Sequence, residues 1–282
     1  MLREGMRVRA VDRRPTDSTG VDSVVADVTE EAMDQAAEGA AVIVHCAAVI
    51  AGTPEKTLRV NVDGTRVLVE AALRARAERF LYMSTIAVYA FRGRDVVDES
   101  TPFVSETMDL PNRRGGPSAS VFPISRARAE QAVWTARGRG VAVTVLRPPN
   151  ILEVHPSSTW SALLVQRMLK GEHFVAGDGS GSWPYVHVDN LIEAVVLALS
   201  TDRAIGEAYN VIDGQTIAAE YFGRFSRWLG LGPVPTRGEI SPWRGRFSAE
   251  KIRRELGYSL RVSYEEAMAE NERYLTEQGL RR

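Results

Sequence analysis

Cysteine and lysine are the residues that this 282-residue sequence has least of. Cys46 is the single cysteine, which excludes an internal disulfide, and its place in the apolar run AVIVHCAAVI favours a buried structural thiol over a redox centre. Lysine occurs only at Lys56, Lys170 and Lys251, so arginine carries nearly all of the positive charge. This composition makes the exchange of a functional lysine for arginine an expected substitution.

Long apolar runs and long runs of like charge are also missing. No segment approaches the roughly 20 apolar residues that span a bilayer, and the start MLREGMRVRAVDRR lacks the apolar centre of a signal peptide. The formal net charge of -1 provides no electrostatic footprint for nucleic acid or an anionic membrane. The four histidines lack metal-ligand spacing. The sequence therefore predicts a cytoplasmic protein that binds no nucleic acid, membrane or metal.

Short β-branched runs alternate with segments of helical period in the first half of the chain. The runs are residues 6–11, 22–27, 41–48, 79–84 and 141–147. Residues 57–77 and 126–140 carry helical patterns between them. This alternation predicts an α/β fold with a parallel sheet and crossover helices. Residues 91–120 are predicted to form one long surface loop, typical of a lid or an active-site wall.

Ten short motifs, in one order along nearly the whole chain, resemble the extended short-chain dehydrogenase/reductase family. They are RVRAVDRR (7–14), ADVTE (26–30), VIVHCAAV (42–49), NVDGTRVLVEAA (61–72), FLYMSTIAVYA (80–90), DESTPF (98–103), SRARAE (125–130), VLRPPNI (145–151), GDGSGSWPYVHVDNLIEAVVLAL (177–199) and ELGYSLRVSYEEAM (255–268). The family includes NAD-dependent epimerases, dehydratases and many reductases. The resemblance implies a Rossmann-like doubly wound parallel sheet over residues 1–150 and a smaller substrate-binding lobe over residues 151–282. It also implies a homodimer through helices like 57–77 and 122–137.

The resemblance places cofactor-binding positions near the ends of predicted strands. These positions are Asp12, Arg13, Asp27, Val28, Ala47 and Ala48. Asp12 stands where a carboxylate binds the adenosine ribose, which favours NAD, while the arginines after it leave NADP open. The alternative is that Asp12 is an ordinary strand-end carboxylate and that the alanines only pack.

One departure from the family lies before Asp12. A dinucleotide fold needs a strand and a Gly-rich turn there, because backbone N–H groups at a helix N-terminus hold the pyrophosphate. LREG (2–5) resembles only the last turn of the helix that follows those glycines, so the usual first strand and glycine loop are absent. We expect either that another segment or chain fills this place in the sheet or that the true start lies upstream of Met1. The expected cofactor is none, or weakly bound NAD(P).

A second departure lies in FPISRARAE, residues 122–130. The family has a Tyr and a Lys four residues apart on one helix face, where the lysine charge lowers the tyrosine pKa for proton transfer. Phe122 and Arg126 occupy these positions. Phenylalanine has no proton to give, whereas arginine could still bind the ribose and supply charge. The alternative is that Phe122 is a core residue and Arg126 a solvated charge.

Other positions of the resemblance retain polar groups. Thr85 matches the catalytic Ser/Thr of the family, and Ser84 before it is a substrate-contact candidate. His155 could act as an acid or base near neutral pH. Asn150 matches an asparagine that contacts substrate in sugar-nucleotide epimerases.

A third departure concerns the substrate. Trp183 stands where those epimerases have a diphosphate-binding arginine, and a tryptophan cannot neutralise a diphosphate. Together with Tyr185 it favours an apolar or aromatic substrate, such as a secondary metabolite, although such residues also form cores.

Three functions remain open. The first is a non-redox enzyme that isomerises, cyclises or cleaves an apolar metabolite, favoured by the loss of both members of the catalytic pair. The second is an NAD(P)-dependent reductase, epimerase or dehydratase with a misassigned start. The third is a catalytically inactive protein that binds a ligand.

Overall fold

A computed structural model describes residues 5–106, 118–238 and 243–281 of the chain. The strands are β1 (Val8–Asp12), β2 (Val21–Val25), β3 (Val42–His45), β4 (Arg79–Met83), β5 (Val96–Val97), β6 (Ala142–Arg147), β7 (Asn150–Leu152), β8 (Val175–Ala176), β9 (Ser182–His187), β10 (Ala208–Asn210), β11 (Gly214–Ile217), β12 (Thr236–Arg237) and β13 (Arg246–Phe247). The helices are α1 (Ala32–Ala37), α2 (Pro54–Leu58), α3 (Gly64–Arg74), α4 (Ser118–Trp134), α5 (Ala162–Leu169), α6 (Val188–Ser200), α7 (Ala218–Trp228), α8 (Glu250–Leu256) and α9 (Tyr264–Glu277). No helix within these described ranges has the length and apolar character that a membrane span requires.

Two compact units, each built from separate segments, make up the chain. The first contains residues 1–89, 102–147 and 195–208, and the second contains the remainder. The sequence predicted one boundary near residue 150, whereas the structure returns residues 195–208 to the first unit. Backbone and side-chain hydrogen bonds explain this return, because the Gly206 N–H donates to the Val143 carbonyl at 2.7 Å and the Thr144 hydroxyl donates to the Ala204 carbonyl at 2.8 Å.

Two sheets form the framework of the first unit. The larger has the strand order β10-β6-β4-β3, in which β3, β4 and β6 are parallel, and the smaller is the parallel pair β1-β2. β4 and β6 are central and mostly buried, as their apolar sequences RFLYM and AVTVLR require. Among the strands that the structure describes, β3 pairs with β4 alone and β1 with β2 alone. The Rossmann-like parallel α/β fold predicted from the sequence is confirmed, while LREG lies, except for Gly5, outside the described residues.

The helices differ in detail from their sequence patterns. The helix predicted over residues 57–77 runs from Pro54 to Arg74, and a π-helical turn, Arg59–Asp63, lies between its α-helical segments α2 and α3. Such turns add one residue to the helical repeat and are frequent at functional sites. The helix predicted at 126–140 begins earlier, at Ser118, and ends at Trp134, after which Gly138 and Gly140 adopt positive φ angles of 81° and 103°.

The second unit has a three-stranded sheet of order β11-β9-β7, in which β9 runs antiparallel to β11 and parallel to β7. Its core is aromatic and includes Trp183, Tyr221 and Phe225. Residues 91–120 do not form one continuous loop, because β5 pairs with β13 and α4 begins at Ser118. Residues 107–117 of the predicted lid lie outside the described residues.

Candidate functional site

The α4 face that carries Phe122 and Arg126 contacts the carboxyl end of β4. Arg126 is 2% exposed, so it is not a solvated charge. Its Nη2 donates to the Met83 carbonyl, and its guanidinium lies over the Tyr82 ring at 4.7 Å from the centroid. Its Nη1 is buried and has no acceptor among the described residues. The guanidinium therefore lies against β4, one helical turn from the half-buried Phe122.

The buried charge of Arg126 acts on the titratable groups around it. Burial, followed by repulsion from Arg126, lowers the pKa of His45 to about 3. Burial also raises the pKa of Tyr82 to about 12. His45 Nε2 lies 2.9 Å from the Thr65 hydroxyl oxygen, so the neutral imidazole has a partner. Near neutral pH, Arg126 is consequently the one cation in this cluster of His45, Tyr82, Thr65 and Arg126.

Thr85 begins the short 3-10 helix Ile86–Val88 that follows β4. Its backbone is extended, with φ of -162°, and its Oγ1 accepts the Ala87 N–H at 3.2 Å. The residue is half-buried, and no acceptor for its hydroxyl hydrogen is present among the described residues. Thr85 can therefore donate a hydrogen bond to a substrate oxygen while its backbone cap is kept.

Ser84 is hydrogen-bonded to a buried ion pair, Glu130 and Arg147, whose role the sequence motifs did not predict. Its hydroxyl donates to Glu130 Oε2 at 2.6 Å, and Glu130 pairs with Arg147. Ser84 is 5% exposed, so it contacts the protein interior. Glu130 stands four residues after Arg126 and eight after Phe122, and this helical spacing was the signal available in the sequence.

Asn61 is a second residue whose role was missed. It is fully buried in the π-helical turn, and it exchanges two hydrogen bonds with the backbone of Val49 at 2.7 and 3.0 Å. Its amide also donates to Ser125 Oγ at 2.9 Å, and Ser125 donates to the Phe122 carbonyl at 2.8 Å. Asn61 thus connects the segment after β3 to the Phe122 turn of α4.

The predicted cofactor-binding positions lie at the ends of β1, β2 and β3. Asp12 and Arg13 are exposed, and the Asp12 carboxylate accepts the Arg14 N–H at 3.0 Å. Asp27 accepts the N–H and the hydroxyl of Thr29, and the backbone hydrogen bond is the main cause of its lowered pKa.

The remaining positions of this group differ in how well they are covered. Val28 packs on α3, where a Cβ placed on Gly64 would lie 2.6 Å from Val28 Cγ1. Ala47 and Ala48 are exposed. Cys46 is exposed too, which corrects the predicted buried thiol, because β3 ends at His45 and the chain leaves the sheet there.

These positions fit only part of a dinucleotide site. The exposed Asp12 carboxylate and the small residues Ala47 and Ala48 suit the adenosine end. The orphaned Nη1 of Arg126 could donate to a ribose hydroxyl, but Phe122 supplies no proton. Among residues 5–11, Gly5 is the only glycine, so the described residues form no glycine-rich phosphate cradle there.

The substrate candidates of the second unit occupy different environments. Asn150 donates from Nδ2 to the Pro184 carbonyl at 2.9 Å. Trp183 is 6% exposed and stacks on Tyr221 with a centroid distance of 3.7 Å, so the core alternative describes its position. Half-buried Tyr185 lies 4.6 Å from the Tyr264 ring, and burial raises its pKa to about 12.

His155 is exposed, and its Nδ1 lies 2.7 Å from Ser157 Oγ. Of the predicted catalytic residues, the structure therefore brings Thr85 and Arg126 to the same end of β4, whereas His155 belongs to the second unit. The described part of the chain holds no cluster of three or more His, Cys, Asp or Glu suited to a metal ion.

Comparisons with known proteins identify the family and the fold to which this site belongs. Residues 1–211 match the family described as "NAD dependent epimerase/dehydratase family". The chain is 28% identical to 4-hydroxy-2-methyl-3-oxo-4-farnesyl-3,4-dihydroquinoline-1-oxide ketoreductase of Stigmatella aurantiaca, over 95% of this chain and 89% of the relative. It is 26% identical to 3-beta-hydroxysteroid dehydrogenase of Mycolicibacterium neoaurum, over 98% and 87%. The solved dTDP-glucose 4,6-dehydratase of Streptomyces venezuelae, with NAD bound, shares the fold with a TM-score of 0.76 and 24% identity, over 92% and 81%.

Proposed function

Because the chain belongs to the NAD-dependent epimerase/dehydratase family of extended short-chain dehydrogenases/reductases, we propose that it acts on an apolar, ring-containing small molecule in a non-redox isomerisation, cyclisation or lyase-type reaction. The environment of Arg126 and Phe122 carries this proposal. Arg126 is buried against Tyr82 and the Met83 carbonyl, and Phe122 has no hydroxyl. A tyrosine-dependent proton transfer coupled to hydride movement is therefore not available at this helix turn.

Thr85 is the group that we propose to contact the reacting oxygen. Its hydroxyl hydrogen is uncommitted among the described residues, and its orientation is set by the cap to Ala87. A hydrogen bond from such a hydroxyl stabilises negative charge that develops on a carbonyl oxygen during a proton shift. Arg126 contributes a fixed positive charge behind β4, on the same end of the strand.

The substrate class is supported by two independent features. Trp183 replaces a diphosphate-binding arginine and packs into an apolar core, so it gives a sugar nucleotide no counter-charge. Two similar proteins are named for ring compounds with long apolar parts or a fused-ring skeleton, a farnesylated dihydroquinoline oxide and a 3-beta-hydroxysteroid. We therefore favour an oxygenated apolar ring system, such as a secondary metabolite.

The test incubates the purified chain with a panel of steroid enones and 4-oxo-dihydroquinolines, with and without NAD(H) and NADP(H), followed by mass spectrometry. We expect a product of unchanged mass, or a cleaved product, that forms without cofactor. Thr85→Val should lower that rate by about 100-fold, whereas Thr236→Val, at an exposed threonine of β12, should leave it unchanged. Binding of a panel compound without any turnover would instead indicate the catalytically inactive protein.

A second candidate is an NAD(P)-linked reductase of the same substrate class. The exposed carboxylate of Asp12 and the exposed Ala47 and Ala48 favour it, as does the ketoreductase similarity. Micromolar binding of NADH or NADPH, seen in the fluorescence of the reduced cofactor, together with a product that differs by hydride and proton, would replace the first proposal by this one. If a Phe122→Tyr, Arg126→Lys double variant gained dehydrogenase activity, the missing proton donor would be the main reason why the wild-type chain lacks that activity.

We also propose that a second copy of the chain docks on the groove between α3 and α4. The groove has a volume of about 880 Å³ and is lined by Leu58, Val62 and Ala132 together with charges of both signs, Asp63, Arg66, Glu70 and Arg128. Mixed charges around an apolar strip suit a self-complementary two-fold contact. Light scattering of the wild-type chain should give a dimer that Ala132→Glu converts to a monomer, and a monomeric wild type would contradict the proposal.

A further inference from the structure

We infer that Glu130 and Arg147 are positioning residues that hold the Thr85-bearing segment, residues 84–89, at both of its ends. The inference deepens the proposed function, because it concerns the hydroxyl to which that function assigns the reacting oxygen. Its basis is that one buried ion pair accepts a hydrogen bond from the Ser84 hydroxyl and donates one to the Tyr89 hydroxyl. The sequence motifs did not predict these two hydrogen bonds.

The first end of the segment is fixed by a side chain and by the backbone. The Ser84 hydroxyl donates to Glu130 Oε2 at 2.6 Å, and its N–H donates to the Leu146 carbonyl at 2.7 Å. Ser84 is 5% exposed and Glu130 is fully buried, so water does not compete for this bond.

The second end is held by Arg147 and by a neighbouring backbone contact. Arg147 Nη1 donates to the Tyr89 hydroxyl oxygen at 2.5 Å, and the guanidinium lies 5.0 Å from the Tyr89 ring centroid and 4.9 Å from that of Phe103. The Val88 carbonyl also accepts the Val104 N–H at 2.8 Å. Because Tyr89 is fully buried and its hydroxyl accepts a hydrogen bond from Arg147, the two side chains hold each other in place.

The ion pair makes the two ends one rigid unit. Arg147 Nε lies 3.1 Å from each carboxylate oxygen of Glu130, and Nη2 makes a further contact with Oε1. The Trp134 indole N–H donates to Oε1 at 3.3 Å. A multiply bonded carboxylate–guanidinium pair that is cut off from water has little freedom to turn, so Ser84 and Tyr89 keep a fixed separation.

Thr85 lies between these two fixed points. Its Oγ1 is directed by the extended backbone and by the Ala87 N–H at 3.2 Å. A hydroxyl that must meet a substrate oxygen has to be held to within about 0.5 Å, and supporting hydrogen bonds usually provide that precision. Glu130 and Arg147 provide it here without touching the substrate.

Amide hydrogen exchange tests the inference on the full chain without a substrate. Tyr89→Phe removes the hydroxyl at one end, and Ser84→Ala removes it at the other, while the ion pair remains. In both variants we expect the Ala87 and Val88 amides to exchange about tenfold faster than in the wild type. The α3 amides and the urea midpoint report global unfolding, and any acceleration in α3 should be clearly smaller than that at Ala87 and Val88.

Trp134→Phe is the matched control, because it removes a hydrogen bond to the same carboxylate that does not lead to residues 84–89. It should leave the Ala87 and Val88 exchange unchanged. Unaltered exchange in both Tyr89→Phe and Ser84→Ala, or equal acceleration in α3, would reduce the ion pair to a general core element and overturn the inference. Failure of the proposed reaction would not affect this readout, so the two can be told apart.

Discussion

The two sheets of the first unit differ in how far their side chains are buried. In the four-stranded sheet, β4 and β6 are mostly buried. Arg126 and Glu130 of α4 are hydrogen-bonded to Met83 and Ser84 at the end of β4. In the pair β1-β2, most residues are exposed, including Val11 at 38% and Val25 at 59%. The difference teaches that buried side-chain bonds fix the polar groups at the carboxyl end of β4, whereas few such bonds hold the exposed positions at the ends of β1 and β2.

The largest effect that we expect comes from breaking the ion pair of the well-built region. Arg147→Met leaves Glu130 charged and buried, so it should lower the free energy of unfolding by about 3–5 kcal/mol. The double variant Glu130→Leu, Arg147→Met removes both charges and should recover most of that loss. Urea denaturation measures both values. A single-variant loss below about 1 kcal/mol would mean that this region is not held by the pair.

A pH dependence should arise from His45, which is buried in β3. Its pKa falls from 6.5 to about 3 on folding, so the unfolded chain binds a proton between these values that the folded chain does not. Stability contributed by His45 is complete above pH 6.5 and is lost progressively as the pH falls towards 3. Between pH 7 and 5 the free energy of unfolding should drop by about 2 kcal/mol.

The same urea titrations on His45→Gln measure this contribution. The variant should show a flatter dependence over that range, since no titrating group remains at the position. Identical slopes for the two proteins would place the pH dependence elsewhere.

A smaller effect is expected where the exposed region joins α3. Gly64→Ala places a methyl group 2.6 Å from Val28 Cγ1, and the steric cost exceeds the gain in helix propensity, giving a net loss of about 1 kcal/mol in the free energy of unfolding. In a Val28→Ala background the clash disappears, so the same substitution should become stabilising. A loss that persisted in that background would show that Val28 is not the neighbour that matters.

The smallest effect should come from β2 itself. Val25→Ser changes a side chain that is 59% exposed, so the free energy of unfolding should change by less than about 0.5 kcal/mol. Thermal and urea unfolding check this value. A loss comparable to that of Arg147→Met would erase the contrast between the two sheets.

The sequence predicted the parts of this structure that periodicity and residue type control. The buried runs around 79–84 and 141–147 became β4 and β6, because apolar β-branched and aromatic runs suit a sheet covered on both faces. Side-chain direction was not predictable. The sequence left open whether Arg126 is a solvated charge. In the structure it lies against the Tyr82 ring, because a long side chain with a planar cation can pack flat on an aromatic face.

Pairings between distant segments were not predictable either. Glu130 and Arg147 lie in different motifs, and only the packing of α4 on β6 brings their charges together. The π-helical turn at Arg59–Asp63, within the helix formed by α2 and α3, was not predictable either, because a single extra residue in the repeat leaves the hydrophobic spacing almost unchanged. Exposure of Cys46 depended on where β3 ends, which an apolar run does not mark.

That same cysteine provides the protein with a native reporter. As the sole thiol, and an exposed one, Cys46 lets a fluorophore be attached at one known point beside Ala47 and Ala48 without any substitution. Partial desolvation raises the pKa of the thiol, so the coupling proceeds best in mildly alkaline buffer. The rate of that coupling, followed while compounds are added, turns the unmodified chain into its own screening assay for ligands that cover the end of β3.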